Sequence, residues 1–274
     1  MGHYYETIPE KTLKWCLQQK MFWVASAPLT GNGHVNISPK GGPYFGIPDD
    51  HTFWFLDLSG SGNETIAHIY EPGNGRVTIM FNAFDGPPEI VRFWGKGRVL
   101  EFGTQSFLEW VKTHNIDVLP GTRSIIVVDI HQVGSSCGFS VPYYDFKEHR
   151  EILNDLWKKR EKEFERGKTE HAMPKYWAYK SAYSMDGLPG MKLGLLTGKA
   201  EKIAPMVKMV GPLAPKNADG YNTRDQRQTV LIILLSFLLG VFAALYGIPA
   251  WLDLKSQLKS VPIAKNMIIL PYSS

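Results

Sequence analysis

The chain has 274 residues, 44% of them apolar and 20% charged, with a formal net charge of +4. That length holds one or two domains with a sizeable core, and the composition is that of a globular chain, not a disordered one. The charge is mild and forms no basic stripe beside aromatic residues, which excludes an evident nucleic-acid footprint.

The opening MGHYYETIPEK has no apolar core and no basic lead, so no secretory leader is expected. Glu6 stands where the myristoylation pattern needs Ser or Thr. Pro9 to Gln19 predicts a short amphipathic helix with Leu13, Cys16 and Leu17 on one face. Cys16 and Cys137 match no metal spacing and read as free thiols. Met21 to Ala27 is a strand, and Pro28 to Gly33 a turn. From His34 to Lys40, polar His34, Asn36 and Ser38 alternate with Val35 and Ile37. That period is a half-buried strand with three polar side chains on one face, either an edge turned to solvent or a binding surface.

Phe53 to Leu58 is an aromatic-rich strand broken by Ser59-Gly60-Ser61-Gly62. Asn63-Glu64-Thr65 leads into Ile66, Ala67, Ile69 and Tyr70, a short helix with Asn63 or Ser61 as N-cap. A glycine loop entering a helix leaves N–H groups free for a phosphate, and Ser59, Ser61 and Thr65 add hydroxyls. A plain strand–turn–helix connection accounts for the same residues, and the loop fits neither GxGxxG nor the P-loop pattern. Val77 to Phe81 and Ile90 to Val99 are strands, and Thr104 to His114 is a helix. Ser124 to Ile130 is a β-branched run expected to be buried on both faces, followed by an irregular Val133 to Val141.

Phe146 to Arg166 predicts a charged helix with a stripe of Ile152, Leu156 and Phe164, and Leu153 and Trp157 beside it. Residues 168–228 show little regular patterning, and from about Thr197 their composition is that of a linker. Gln228 to Leu252 carries no charge. At ~1.5 Å per residue it would cover about 37 Å, more than the ~30 Å hydrocarbon slab, so 229–252 predicts a transmembrane helix. Tyr246 and Trp251 suit an interface, and three cations on either side leave the orientation open.

Several blocks together carry a resemblance: HVNISPKG, LDLSGSGNETIAHI, GRVTIMFNAFDGPPEIVRFWGKGRV, SCGFSVP and KSAYSMDGLPG. They resemble the pyridoxamine 5′-phosphate oxidase-like family of FMN-binding split barrels over roughly residues 5–190. The resemblance implies a mostly β split barrel at 1–145, followed by a helical extension at 146–196, and composition adds a linker at 197–228. The membrane helix at 229–252 and a tail at 253–274 complete the chain. It also implies an FMN-binding oxidoreductase of unknown substrate that dimerises with flavin between two barrels. Asn36, Ser38 and Lys40 would face the flavin ring or ribityl chain, and Ser59, Asn63 and Thr65 the phosphate. Arg92 would come from a neighbouring strand or from the other subunit.

Two features depart from the family pattern. Glu64 puts a carboxylate where the oxidases proper carry basic residues, and the tail beyond Ile263 has no Arg-x-His. The competing readings are a non-catalytic, membrane-tethered scaffold and a deazaflavin or haem protein, with His34, His51 or His68 as haem ligands. No His/Glu cluster with a zinc spacing occurs. With no leader, the barrel is placed on the cytosolic face of its membrane. Asn36-Ile37-Ser38 and Asn63-Glu64-Thr65 would be glycosylation acceptors in a lumen, which favours the same side.

Overall fold

A computed structural model describes residues 2–215 and 223–247. The chain divides into two units, residues 1–221 and 222–274.

The first unit is built on one antiparallel sheet of eight strands that curls into a half-barrel. The strands are β1 (His3–Tyr5), β2 (Met21–Ser26), β3 (Asn36–Gly41), β4 (Phe45–Gly46), β5 (Thr52–Leu58), β6 (Arg76–Asn82), β7 (Glu89–Glu101) and β8 (Thr122–Cys137). Their order is β3-β2-β6-β7-β8-β5-β4, with β1 on β8. Helix α1 (Glu10–Gln18) precedes β2, α2 (Glu64–Tyr70) joins β5 to β6, and α3 (Gln105–His114) joins β7 to β8. Helices α4 (Ile152–Glu165), α5 (Met173–Lys180) and α6 (Lys192–Glu201) follow the sheet.

The period-two pattern fills the concave face with phenylalanine. Phe22, Phe53, Phe55, Phe81 and Phe93 are buried, and Phe45 packs against them. Phe22 and Phe53 meet edge to face at 5.2 Å, and Phe81 and Phe93 at 5.8 Å. Such tilted contacts add about 0.5–1.5 kcal/mol each beyond the area they bury. A second cluster of Leu56, Leu100, Phe107, Ile125 and Val127 lies under α3. Strand β8 is therefore buried on both faces along its first half, as its β-branched run requires.

Two local expectations are corrected. Val133 to Cys137 is strand, not irregular chain, because β7 pairs with it on one side and β1 on the other. Gly134 fits there because a Cβ would come within 2.8 Å of the Trp94 ring. Helix α4 begins at Ile152, and its aliphatic stripe faces solvent: Ile152 is 75% exposed and Phe164 49%. The face turned inward carries Asn154 and Trp157, one turn apart. The Trp157 indole donates to the Ser59 carbonyl at 2.9 Å, and Asn154 Nδ2 donates to the Tyr44 hydroxyl at 3.1 Å. Gly121, at φ +85°, lies directly against Trp157 where a Cβ would collide with the indole.

Both thiols are free, Cys16 buried and Cys137 exposed. Residues 202–210 form neither helix nor strand, yet Met206 N–H donates to the Tyr179 carbonyl at 2.7 Å.

The second unit contains α7 (Thr223–Phe242), which continues into a π-helical turn at Ala243–Gly247. Among the described residues no helix is long and apolar enough to cross a membrane. The transmembrane helix expected at 229–252 is not found among the described residues, which reach only Gly247 of that stretch. Residues 248–252 and the tail lie outside the described residues.

Candidate functional site

Strand register divides the expected site residues between the two faces of the sheet. Asn36, Ser38 and Lys40 pair with Ser26, Val24 and Phe22. Directly paired residues share a face, so all three point to the concave side. Val35, Ile37 and Pro39, the alternate positions of this stretch, are exposed. Arg92 pairs with Met80, which pairs with Trp23, on the convex side. Its guanidinium donates to Ser136 Oγ at 3.4 Å. Arg92 thus stands on the opposite face from the other candidates within one chain.

On the concave side a polar cluster interrupts the phenylalanine lining. Asn36 Nδ2 donates to Ser38 Oγ at 3.3 Å and to Thr65 Oγ1 at 3.4 Å. Ser26 Oγ lies 3.5 Å from Thr65 Oγ1 and 2.9 Å from His68 Nδ1. His68 is fully buried, and its Nε2 has no hydrogen-bond partner among the described residues. Burial lowers the His68 pKa against the upward pull of Asp186, Glu64 and Glu71, so the ring is neutral at pH 7.

Lys40 belongs to a second group at the end of β5. The inward positions Phe53 and Phe55 are followed by Asp57, whose carboxylate accepts from Arg123 Nε at 2.7 Å. Lys40 Nζ lies 3.6 Å from the other carboxylate oxygen and 5.8 Å from the Phe55 ring centre. Burial alone would raise the Asp57 pKa, but Arg123 and Lys40 more than offset it and hold the carboxyl below its ordinary value. Arg123 Nη1 also donates to Ser181 Oγ at 3.1 Å and reaches the Gly60 carbonyl at 3.5 Å.

The remaining phosphate candidates are enclosed by the extension. Ser59 is fully buried, and its hydroxyl accepts from the Trp177 indole at 2.7 Å. Asn63 precedes α2 without capping it through its side chain, and both amide atoms are buried and unpartnered. Gly190 lies so close that a Cβ there would collide with this amide. Helix α2 has only seven residues, so an anion here would depend on hydroxyls and cations more than on the helix end.

The Ser184–Leu188 turn fastens across the cluster. Asp186 accepts from the His34 N–H at 2.8 Å and lies 2.6 Å from His34 Nδ1. Met185 N–H donates to Glu64 Oε1 at 3.3 Å, and Lys208 Nζ lies 3.7 Å from the same oxygen. That separation is an ion pair too long for a hydrogen bond. Burial pushes the Lys208 pKa down from 10.5 to about 8, against the pull of Glu64.

A folded-state pKa below the unfolded one means that the unfolded chain binds the extra proton from about pH 8 to about 10.5. Stability must therefore rise with pH across that window, by roughly 3 kcal/mol for this one group. Urea unfolding of wild type measured against Lys208→Met should show the difference growing by that amount. A difference that stays flat would mean that the ammonium is solvated.

Sequence reasoning passed over Ser26, Asp57, Arg123 and Asp186, and weighed His68 only as a haem ligand. Asp57 left a legible signal, a lone carboxylate at an inward position of an apolar strand. Arg123 and Asp186 left none, because their partners are 66 and 152 residues away. A cleft of about 640 Å³ lies elsewhere, between Tyr70, Glu101, Phe102, Met173, Trp177 and Leu196, and holds none of the seven expected site residues.

No family model matches the chain. A curated relative does: the pyridoxamine 5′-phosphate oxidase family protein ustO of Aspergillus flavus is 36% identical over 202 residues, covering 70% of this chain and 78% of the relative. This chain belongs to the pyridoxamine 5′-phosphate oxidase family. Among solved structures, this family member is similar to HupZ of Group A Streptococcus, at 17% identity and a TM-score of 0.35 over 46% of this chain and 91% of that one. It is also similar to an FMN-binding protein from Syntrophomonas wolfei, at 14% identity and a TM-score of 0.30 over 44% and 80% of the two chains.

Proposed function

We propose that this pyridoxamine 5′-phosphate oxidase family member is an FMN-binding oxidoreductase acting on a substrate not yet identified. The observation that carries the reading is the convergence of Ser38 and Thr65 on the Asn36 amide, at 3.3 and 3.4 Å, on the concave face. Three half-buried polar side chains from β3 and α2 in an otherwise phenylalanine-lined half-barrel offer hydrogen-bonding groups to a polar ligand. The unpartnered His68 Nε2 and Asn63 amide fit a polar ligand there. Ser59 does not, since its hydroxyl is engaged by Trp177. Bound FMN would supply the two-electron redox chemistry. Asn36, Ser38 and Thr65 would orient it, and the apolar barrel would exclude water from its ring.

Arg92 joins this reading only across a dimer. On one chain it lies on the convex face, in register with Met80, Trp23 and Gly134. Tyr4 stacks on Trp94 on the same face at 6.3 Å and is 73% exposed. An exposed aromatic face of this kind suits a second copy of the chain. Membrane tethering through residues 229–252, with the first unit in the cytosol, is part of the same proposal. It is supported by the exposed Ile233, Phe237 and Leu239 of α7. Detergent-dependent extraction from a membrane pellet tests it.

The cofactor is tested on the purified full-length chain. Its visible spectrum and an FMN titration should show an oxidised flavin bound in one copy per barrel. Thr65→Glu places a carboxylate in the cluster and should abolish retention while leaving the circular dichroism unchanged. Flavin that stays bound to the variant overturns the assignment of Thr65. A colourless protein that FMN does not stabilise overturns the function.

A further inference from the structure

The loop that the family resemblance expects to hold a phosphate carries Glu64 in place of a basic residue. The cations around it come instead from the extension and from the segment that follows it. Lys208 is nine-tenths buried, with Nζ near Glu64 and no hydrogen-bond partner. Lys180, at the end of α5, sends its ammonium to Met206 Sδ at 2.7 Å, a weak acceptor for a full charge. Lys180 and Arg123 both lie close enough to Lys208 to repel its charge. The carboxylates nearby are otherwise engaged, Asp57 by Arg123 and Lys40, and Asp186 by His34. Lys208 therefore has Glu64 as its one counter-charge while Lys180 adds a second positive charge nearby, and the Asn63 amide, next to Glu64 in the chain, is buried and unsatisfied. An excess of positive charge that includes the buried Lys208 ammonium is unfavourable unless an anion joins it.

We infer that Lys180 of the extension and Lys208 of the segment after it bind the phosphomonoester of the ligand, and that Glu64 holds Lys208 in place until the anion arrives. The inference rests on the flavin reading above and deepens it. The phosphate contact is made by a segment far along the chain, so ligand binding and docking of residues 203–210 stabilise each other. Met206 N–H on the Tyr179 carbonyl fixes the segment to α5. The same segment thus carries one cation and positions the other.

The test uses the full-length chain and three probes: FMN, riboflavin and inorganic phosphate. Riboflavin lacks the phosphate and serves as the internal control. In wild type, FMN should bind more tightly than riboflavin, and inorganic phosphate should compete with FMN but not with riboflavin. Lys208→Met and Lys180→Met should each weaken FMN about tenfold, the size of a lost charge-assisted contact, and leave riboflavin unchanged. Glu64→Gln should tighten FMN several-fold and riboflavin not at all. A second readout is cleavage by thermolysin within residues 203–210. FMN or phosphate should slow it in wild type but not in Lys208→Met. If both lysine variants keep the wild-type ratio of FMN to riboflavin affinity, the inference falls while the flavin reading stands. If wild type binds neither flavin, the flavin reading falls, and protection of 203–210 by phosphate alone decides the inference. Absence of that protection overturns it.

Discussion

Asp57→Ala should destabilise the first unit by about 3–5 kcal/mol, the largest loss expected of any single polar substitution here. Asp57 and Arg123 are each only 5% exposed at the side chain, and their contact is 2.7 Å. Removing the carboxylate strands a guanidinium in the barrel end with only the Gly60 carbonyl and the Ser181 hydroxyl to receive it. Lys40 loses its partner in the same step, so two like charges are left facing one another. Urea unfolding followed by circular dichroism measures the effect. Asp57→Asn keeps the volume and should lose nearly as much, because the missing quantity is charge. The carboxyl is held below its ordinary pKa, so its contribution is complete above the ordinary carboxylate range. That contribution is lost as pH falls through the lowered value. The acid limb of wild-type stability should therefore flatten in Asp57→Asn. A variant within 1 kcal/mol of wild type would show that water solvates Arg123, contrary to its burial.

Trp177→Ala should cost a similar amount, about 3–5 kcal/mol, through lost packing and the cavity left behind. The indole is 1% exposed and packs on the barrel core with Met191. It also donates to Ser59 Oγ, which is fully buried. Trp177→Phe separates the two contributions. It restores most of the volume but leaves the hydroxyl without its donor, so about 1–2 kcal/mol should remain. The two variants also bear on the site, because Trp177 and Trp157 both fasten the Ser59 corner from the extension. If Trp177→Ala unfolds the barrel along with α5 and α6, sheet and extension form one cooperative unit. If far-UV signal from the sheet survives while the helices melt, the extension is a separate layer, and ligand binding should suffer before the barrel does.

The strands were legible because apolar alternation is a local property. β2, β5, β6 and β7 appear within one or two residues of their expected ends, and Phe22, Phe53, Phe55, Phe81 and Phe93 all face the core. Val133 to Cys137 was not legible, since glycine and serine carry no strand signal. Pairing on both sides makes the strand there, and pairing is a long-range fact. Helix α4 misled for a related reason. Its aliphatic stripe predicts a buried face, but one tryptophan hydrogen-bonded to Ser59 decides which side turns inward. The charge balance was half legible. Glu64 announced a missing cation, but nothing in the spacing pointed to Lys208, 144 residues further on.

By itself the sequence determined the family, the curled antiparallel sheet, its phenylalanine core and the polar face of β3, all of which follow from side-chain period and motif. The tertiary structure alone decided that Arg92 stands apart from the concave cluster, that Ser59 is closed over by two indoles, and that the cation beside Glu64 is Lys208, from beyond the extension. Register fixes which face a residue occupies, and chain closure fixes which distant charges meet. Neither is written in any one stretch of the chain.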